Sequence, residues 1–412
     1  MRRALTDLRP LAVPAYRRMW AASLVAAVGG SFSVVAVPVQ LYASTGSSAA
    51  VGAAAVVSFV ALAGSALAAG ALADSRDRRR VLLAAQSGLA VVYLALWAQA
   101  ALGDAPLGLL LLLVAGQGLS LGAIGATSGA VLPRLVPEHL LAAANSLNSL
   151  VRYTGSILGP ALAGLLISVA GLPTLYLCDA LALLVVLRAV HRLPALPPTG
   201  APPAGSIGRQ LVAGFRYLTG SRMLVAVLGV DLAAMVFGMP SALYPELAAR
   251  VFGESSVGLL YAAYPAGVIL AGLGSGLFTR ARRHGLMMAG AALAWGATVV
   301  LFSLTIRLWA ALPVLALGGA VNFVLSTFRN AVSQAHTDDA MRGRIQGALT
   351  VVLFGGPQLA NLLHGSIGAL AGPRLTIGAG GLLTVVTVVV ILRTAPELRR
   401  YRVASGHEQP AP

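Results

Sequence analysis

Four ionisable side chains stand in runs of almost entirely apolar sequence: Arg152, Asp179, Asp231 and Arg329. A charge in such a run costs about 2.5–3.5 kcal/mol to place in a bilayer, so it must face a polar cavity or a partner of opposite charge. A carboxylate there can take up and release a proton, and a guanidinium can hold an anion. Asp231 follows the start of its run by about nine residues, roughly 14 Å at 1.5 Å per residue. It is the first candidate for a proton-coupling or cation-binding carboxylate; the competing reading is a structural acid held by an arginine or a helix dipole. Asp179, in Leu177-Cys-Asp-Ala-Leu181, is the second candidate, with a packing or hydrogen-bonding role as its alternative. Arg152 and Arg329 either snorkel to an interface, pair with acids, or draw an anionic substrate inward. Gln40, Gln117, Asn148, Asn322, Gln358, Asn361 and His364 complete the polar set. Hydrogen bonding between helices is the plainer reading of each, and His364 is the one that could also titrate.

The elements that must position these groups follow from composition. The 412 residues are 58% hydrophobic and 10% charged, against roughly 25% charged in an average soluble chain. Mean hydropathy is +0.83. Apolar runs of about 20 residues, long enough to cross a hydrocarbon core, recur along nearly the whole chain. They predict transmembrane helices at 18–42, 48–73, 81–102, 106–131, 141–169 and 173–191, then at 222–245, 254–279, 285–305, 308–332, 345–370 and 373–393. The runs are uniformly apolar and not alternating, which favours helices over barrel strands. The fold class expected is an all-α membrane protein of twelve helices in two six-helix bundles.

A net charge of +16 would suggest acidic or nucleic-acid partners in a soluble chain. Its distribution points elsewhere. All 29 basic residues are arginine. Arg250, Arg307 and Arg374 fall in one set of loops, Arg152 and Arg329 fall inside spans, and the remainder cluster at the termini and in or beside the alternate loops. Basic loops stay cytoplasmic, so both termini are expected in the cytoplasm, with no role for nucleic acid. The first run outlasts a signal-peptide core and is read as a retained helix. Cys178 is the single cysteine, which excludes a disulfide framework or a cysteine metal site. No P-loop pattern appears, which argues against direct ATP drive, and no catalytic motif of a metalloprotease or serine hydrolase is present. The expectation is a protein that is not an enzyme and needs no cofactor or metal.

The expected domains are a bundle over 1–191, a cytoplasmic linker over 192–221, a second bundle over 222–393 and a tail over 394–412. The linker is proline-rich over 194–206. Beyond it, Ile207, Leu211, Phe215 and Leu218 recur at helical spacing, with Arg209 and Arg216 between them. They define either an amphipathic helix on the membrane face or a cytosolic extension of the seventh span. A shift of about 206 residues superimposes the two sets of spans and aligns Gly70–Arg80 with Gly276–His284, the internal repeat of a secondary-transporter design.

Gly70-Ala-Leu-Ala-Asp74-Ser-Arg-Asp77-Arg78-Arg79-Arg80 pairs an acid with a cation cluster at a helix end. Gly70 would let helices pack closely. Asp74 could cap a positive helix N-terminus or pair with arginines, and so latch one conformational state; the alternative is ordinary positive-inside anchoring. This segment resembles the signature loop of the major facilitator superfamily, departing at Asp77, where that pattern has glycine. Gly155-Ser-Ile-Leu-Gly159-Pro160-Ala-Leu-Ala163-Gly164 resembles the superfamily's antiporter motif, with Ala163 in place of one glycine. Its small residues allow close helix contact, and Pro160 is expected to bend the helix. Val35–Gln40, Phe215–Leu218, Leu243–Ala248, Leu260–Pro265 and Gly343–Gly347 are similar to a narrower group, the enterobactin exporter-like facilitators.

The resemblance implies that Gly70, Asp74, Arg78, Arg79, Gly155, Gly159, Pro160 and Gly164 gate the transporter. It also implies that Gln40, Gln117, Asp231 and Asn322, on the first, fourth, seventh and tenth helices, head the cavity candidates, followed by Arg152, Arg329 and Gln358. The function expected is proton-coupled export of a siderophore-like or drug-like amphiphile by a monomer in the bilayer. Multidrug or macrolide efflux is the alternative, with nutrient uptake or a non-transporting receptor further behind.

Overall fold

The fold is described from a computed structural model, covering residues 8–103, 106–197, 216–278, 281–337 and 342–401. Secondary structure among the described residues is helical throughout. The helices are α1 (Pro14–Gly29), α2 (Ser33–Thr45), α3 (Ser48–Ser75), α4 (Arg78–Leu102), α5 (Leu107–Leu135), α6 (Leu141–His191), α7 (Arg222–Gly238), α8 (Val257–Leu273), α9 (His284–Leu304), α10 (Leu308–Ala335), α11 (Arg342–Ala371) and α12 (Pro373–Thr394). One-turn helices, 3-10 turns and a π-helical turn at Ala248–Phe252 connect them.

These elements follow the apolar runs, with one break that hydropathy does not show and one that it does. The first span is two helices, α1 and α2, parted at Gly30–Phe32. In the second case α6 runs 51 residues but leaves helical geometry at Gly171 (φ 77°, ψ 170°), which divides it into two helices where two spans were expected. A positive φ of this kind is open to glycine without steric cost. Pro160, expected to bend its helix, lies within α6, and the residue that leaves helical geometry is Gly171, with Pro173 just after it. Ten helices among the described residues are long and apolar enough to cross a membrane.

Local sequence accounts for the helix ends. Ser47 caps α3 by accepting from the Ala49 amide at 3.2 Å. Asp77 caps α4, its Oδ1 accepting from Arg79 N at 2.9 Å. Ser221 caps α7 through Leu224 N at 3.4 Å. Each side-chain oxygen satisfies an amide that the helix's first turn leaves without a partner.

The chain divides into two compact units: Met1–Ala204 with Gly253–Ala262, and Gly205–Phe252 with Ala263–Pro412. In the first, Tyr16, Leu82, Val131, Leu147, Val186 and Val190 form a buried apolar cluster. There α3 lies directly on α5: a methyl added at Gly118 would strike the Ser58 carbonyl, and one at Gly122 the Leu62 carbonyl. In the second unit, Gly296 of α9 sits so close to α12 that an added Cβ would lie 2.9 Å from the Gly381 oxygen. Small residues set these distances, as they do between helices in lipid. Val91, Leu112, Leu165, Leu270 and Leu375 are exposed. So much exposed apolar surface suits lipid and would aggregate a soluble protein.

Candidate functional site

Two polar clusters lie inside the apolar helices, one in each unit. In the first unit Asp179 is fully buried. Its Oδ1 accepts from Phe32 N at 3.1 Å and its Oδ2 from Ser33 N at 2.8 Å. The carboxylate therefore caps α2 where the first span breaks, and its charge meets the positive end of that helix dipole. From there a chain of hydrogen bonds extends. Ser33 Oγ donates to Tyr93 OH at 3.1 Å, and Gln117 Nε2 donates to Ser33 Oγ at 3.1 Å and to Tyr93 OH at 3.4 Å.

Two turns along α2, Gln40 and Gln99 bond reciprocally, amide to carbonyl, at 2.8 and 3.0 Å. Tyr176 OH donates to the same Gln40 oxygen at 2.7 Å. Gln40, Gln117 and Asp179, chosen from sequence, thus belong to one region spanning α2, α4, α5 and the second half of α6. Tyr93, Gln99 and Tyr176 were missed. The intramembrane glutamine was the readable sign for Gln99; the two tyrosines look like ordinary core aromatics in a linear sequence.

In the second unit Asp231 of α7 and Arg329 of α10 form a buried ion pair. A single nitrogen, Arg329 Nη1, donates to both carboxylate oxygens, at 3.0 and 2.9 Å. The far edge of the guanidinium, Nε and Nη2, donates to Asn330 Oδ1 at 3.2 and 3.1 Å. Arg329 does not snorkel: it is 8% exposed, and its charge is cancelled where it lies. Asn322, one of the cavity candidates, accepts from Ser326 Oγ through its backbone oxygen at 2.9 Å on the same helix. Gln358 is half-buried on α11. Asn361 and His364, also on α11, are structural: Asn361 Oδ1 accepts from Ser241 Oγ at 2.7 Å and Ala242 N at 3.1 Å, and His364 bonds the Ala360 and Phe237 carbonyls.

A cavity of about 680 Å³ opens in the first unit between α1, α5 and the first half of α6. Arg152 lines it, exposed, with Nη2 donating to Ser149 Oγ at 2.7 Å.

The gating candidates divide. At Gly155 an added Cβ would strike the Ala27 carbonyl and lie 2.8 Å from Ala27 Cβ, and at Gly159 it would lie 2.6 Å from Ser31 Cβ. Gly164 and the Pro160 carbonyl meet Gly258 of the same unit, 2.7 Å separating a Cβ at Gly164 from Gly258 Cα. These are the close contacts expected of the motif. Gly70 is different: a Cβ there meets nothing within 4 Å, so this glycine allows no close approach among the described residues. The Asp74 side chain lies outside the described residues. Asp77, where the sequence departs from the motif, caps α4 and also accepts from Leu196 N at 3.2 Å. Arg78 N donates to Leu196 O at 3.1 Å, and Arg79 Nη2 donates to the His191 carbonyl, so the basic loop is tied to the chain leaving α6. Of the linker helix, Ile207, Leu211 and Phe215 lie outside the described residues; Leu218 is buried against Leu224.

Broken helices, glycine-packed apolar spans and isolated polar clusters within each unit define a polytopic membrane protein. The solved structures agree. The chain superimposes on a bacterial homolog of the human lysosomal transporter Spinster in an inward-facing, unoccupied conformation (TM-score 0.71, 14% identity, 95% of this chain and 99% of that one). It also matches a peptide transporter POT in complex with alafosfalin (0.73, 12%, 93% and 96%) and the nucleoside transporter NupG (0.72, 13%, 92% and 100%). At these identities the likeness is one of fold. In sequence, residues 5–412 match the family described as transmembrane secretion effector. The chain belongs to that family, a branch of the major facilitator superfamily, and is a transporter and not an enzyme. Among curated relatives, the enterobactin exporter EntS of Shigella boydii serotype 18 is 32% identical over 94% of both chains. The protein of the same name from Escherichia coli O139:H28 is 31% identical over 94% of both.

Proposed function

We propose that this chain is a proton-coupled exporter of a siderophore-like or drug-like amphiphile, working by alternating access between bundles 1–191 and 222–393, with both termini in the cytoplasm. The observation that carries the coupling is the buried Asp231–Arg329 pair. Two full charges inside an apolar helix pair are costly to keep, and replacing such a pair by packed hydrophobic residues is often neutral or stabilising. Intramembrane charges of this kind mark ion and substrate pathways. In the cycle, cargo and proton take opposite legs: cargo moves outward with the Asp231–Arg329 pair intact, the emptied carrier takes a proton on Asp231 and parts the pair, and loss of that proton to the cytoplasm restores it. Export and the class of cargo are supported by the names of the relatives at 31–32% identity.

The test is transport in proteoliposomes under an imposed pH gradient, with a catecholate siderophore as cargo. The wild type should accumulate cargo on the side from which protons flow. Asp231→Asn should retain exchange of cargo down its own gradient and lose the response to pH. A gradient response that survives Asp231→Asn removes this residue from the coupling.

A further inference from the structure

The cavity walled by α1, α5 and the first half of α6 belongs to neither polar cluster, and the coupling scheme above makes no use of it. Its volume of about 680 Å³ lies within the roughly 300–1,000 Å³ typical of pockets for drug-sized ligands. Its walls are uneven in chemistry. Trp20, half-buried, presents aromatic surface with its Nε1 already bonded to Leu147 O at 3.2 Å, and the buried Tyr16 backs the wall, its OH bonded to Ala144 O at 3.0 Å and Asn148 Oδ1 at 3.1 Å. Asn145 is exposed and lines the same space.

Arg152 is the one cation among the described residues of the lining, and its bonded partner is a neutral hydroxyl, Ser149 Oγ. No carboxylate among the described residues pairs with it, in contrast to Arg329, which Asp231 neutralises. A guanidinium left with its charge uncancelled favours an anion, which it can hold through two parallel N–H donors. Trp20, which lines the same cavity, adds stacking surface for a flat ring.

We infer that this cavity is a docking subsite for an amphiphile with an anionic head and an aromatic body. Arg152 takes the carboxylate, sulfonate or ionised phenol; Trp20 takes the ring; Asn145 supplies a further hydrogen bond. Its assignment to cargo rests on the export reading. The test reads equilibrium occupancy and not transport, so either reading can fail without the other.

The reporter is Ser128→Cys, on the cavity wall, in full-length protein carrying Cys178→Ser and held in phosphatidylcholine nanodiscs. The rate of its modification by N-ethylmaleimide is followed with and without 8-anilinonaphthalene-1-sulfonate, and with the uncharged analogue N-phenyl-1-naphthylamine. The anionic probe should slow modification several-fold and the neutral one little. Arg152→Gln should raise the half-protecting concentration about tenfold, the loss expected for a hydrogen bond to a charged group. Arg152→Lys, which keeps the charge and guards against misfolding, should retain part of the protection. The inference is overturned if Ser128→Cys fails to react in folded protein, if the anionic probe gives no protection, if both probes protect equally, or if Arg152→Gln changes nothing. Protection by phosphatidylglycerol in the disc, without added probe, would also overturn it, because the anion at Arg152 would then be a lipid headgroup.

Discussion

Arg329 reaches Asp231 with a single nitrogen, Nη1, set 3.0 and 2.9 Å from the two carboxylate oxygens, while Asn330 holds the opposite edge of the guanidinium. The pair is thus fixed on one side and separable on the other. A group that drew Nη1 away would leave Asp231 without a counter-charge and bonded to nothing else that these contacts provide.

Removing one member strands the other. Asp231→Ala or Arg329→Ala should each destabilise the protein by about 3–5 kcal/mol, the usual cost of breaking a buried pair from one side. Asp231→Asn combined with Arg329→Gln should recover most of that loss. Thermal unfolding of the purified protein in detergent, followed by size-exclusion chromatography, checks it; a double variant no better than the singles would refute the pairing.

The Asp179 carboxylate holds the break between α1 and α2 by its bonds to Phe32 N and Ser33 N. Leaving a buried donor without a partner costs about 1–3 kcal/mol, so Asp179→Ala should loosen this turn. Hydrogen–deuterium exchange of peptides covering residues 29–40 should speed up markedly in that variant. Asp179→Asn, which keeps one acceptor oxygen, should fall between. Unchanged exchange in Asp179→Ala would show that the break is held by packing alone.

The two glycine motifs should respond differently to the same substitution. Gly155→Ala drives a methyl into the Ala27 carbonyl, whereas Gly70→Ala meets open space among the described residues. Overpacking of this kind costs about 1–3 kcal/mol. Gly155→Ala should lower folded yield and thermal stability, and Gly70→Ala should leave both at the wild-type level. Equal effects in the two variants would contradict the packing described for α6 on α1.

Asp77 predicts a local effect on the basic loop. It caps α4 and accepts from Leu196 N. Loss of an N-cap costs about 0.5–2 kcal/mol, and here it also releases the chain after α6. Limited proteolysis should cut Asp77→Ala faster than wild type near residues 193–197, with Asp77→Asn close to wild type. Equal cutting of Asp77→Ala and wild type would remove the tether.

Much of this architecture was readable because lipid imposes length and uniformity on a span. Hydropathy placed the helices, and small residues in Gly155–Gly164 marked a real close contact. What escaped was anything set by geometry between distant segments. Asp231 and Arg329 were each conspicuous, and charge balance demanded a partner, yet nothing in the order of residues tells which cation meets which acid across 98 positions. The break at Gly30–Phe32 hides because both sides of it are apolar. Tyr93 and Tyr176 join the first polar cluster through hydroxyls whose direction only the fold determines. At Gly70 a familiar motif suggested close packing, and a Cβ there would meet nothing within 4 Å among the described residues.

The most direct test of coupling is pH-gradient-driven transport by the Asp231→Asn, Arg329→Gln double variant, which is designed to fold without the ion pair. If Asp231 carries the proton, the reconstituted double variant will move cargo down its concentration gradient and ignore an imposed pH gradient. If it still concentrates cargo against its gradient in response to pH, the pair is structural and the proton travels elsewhere.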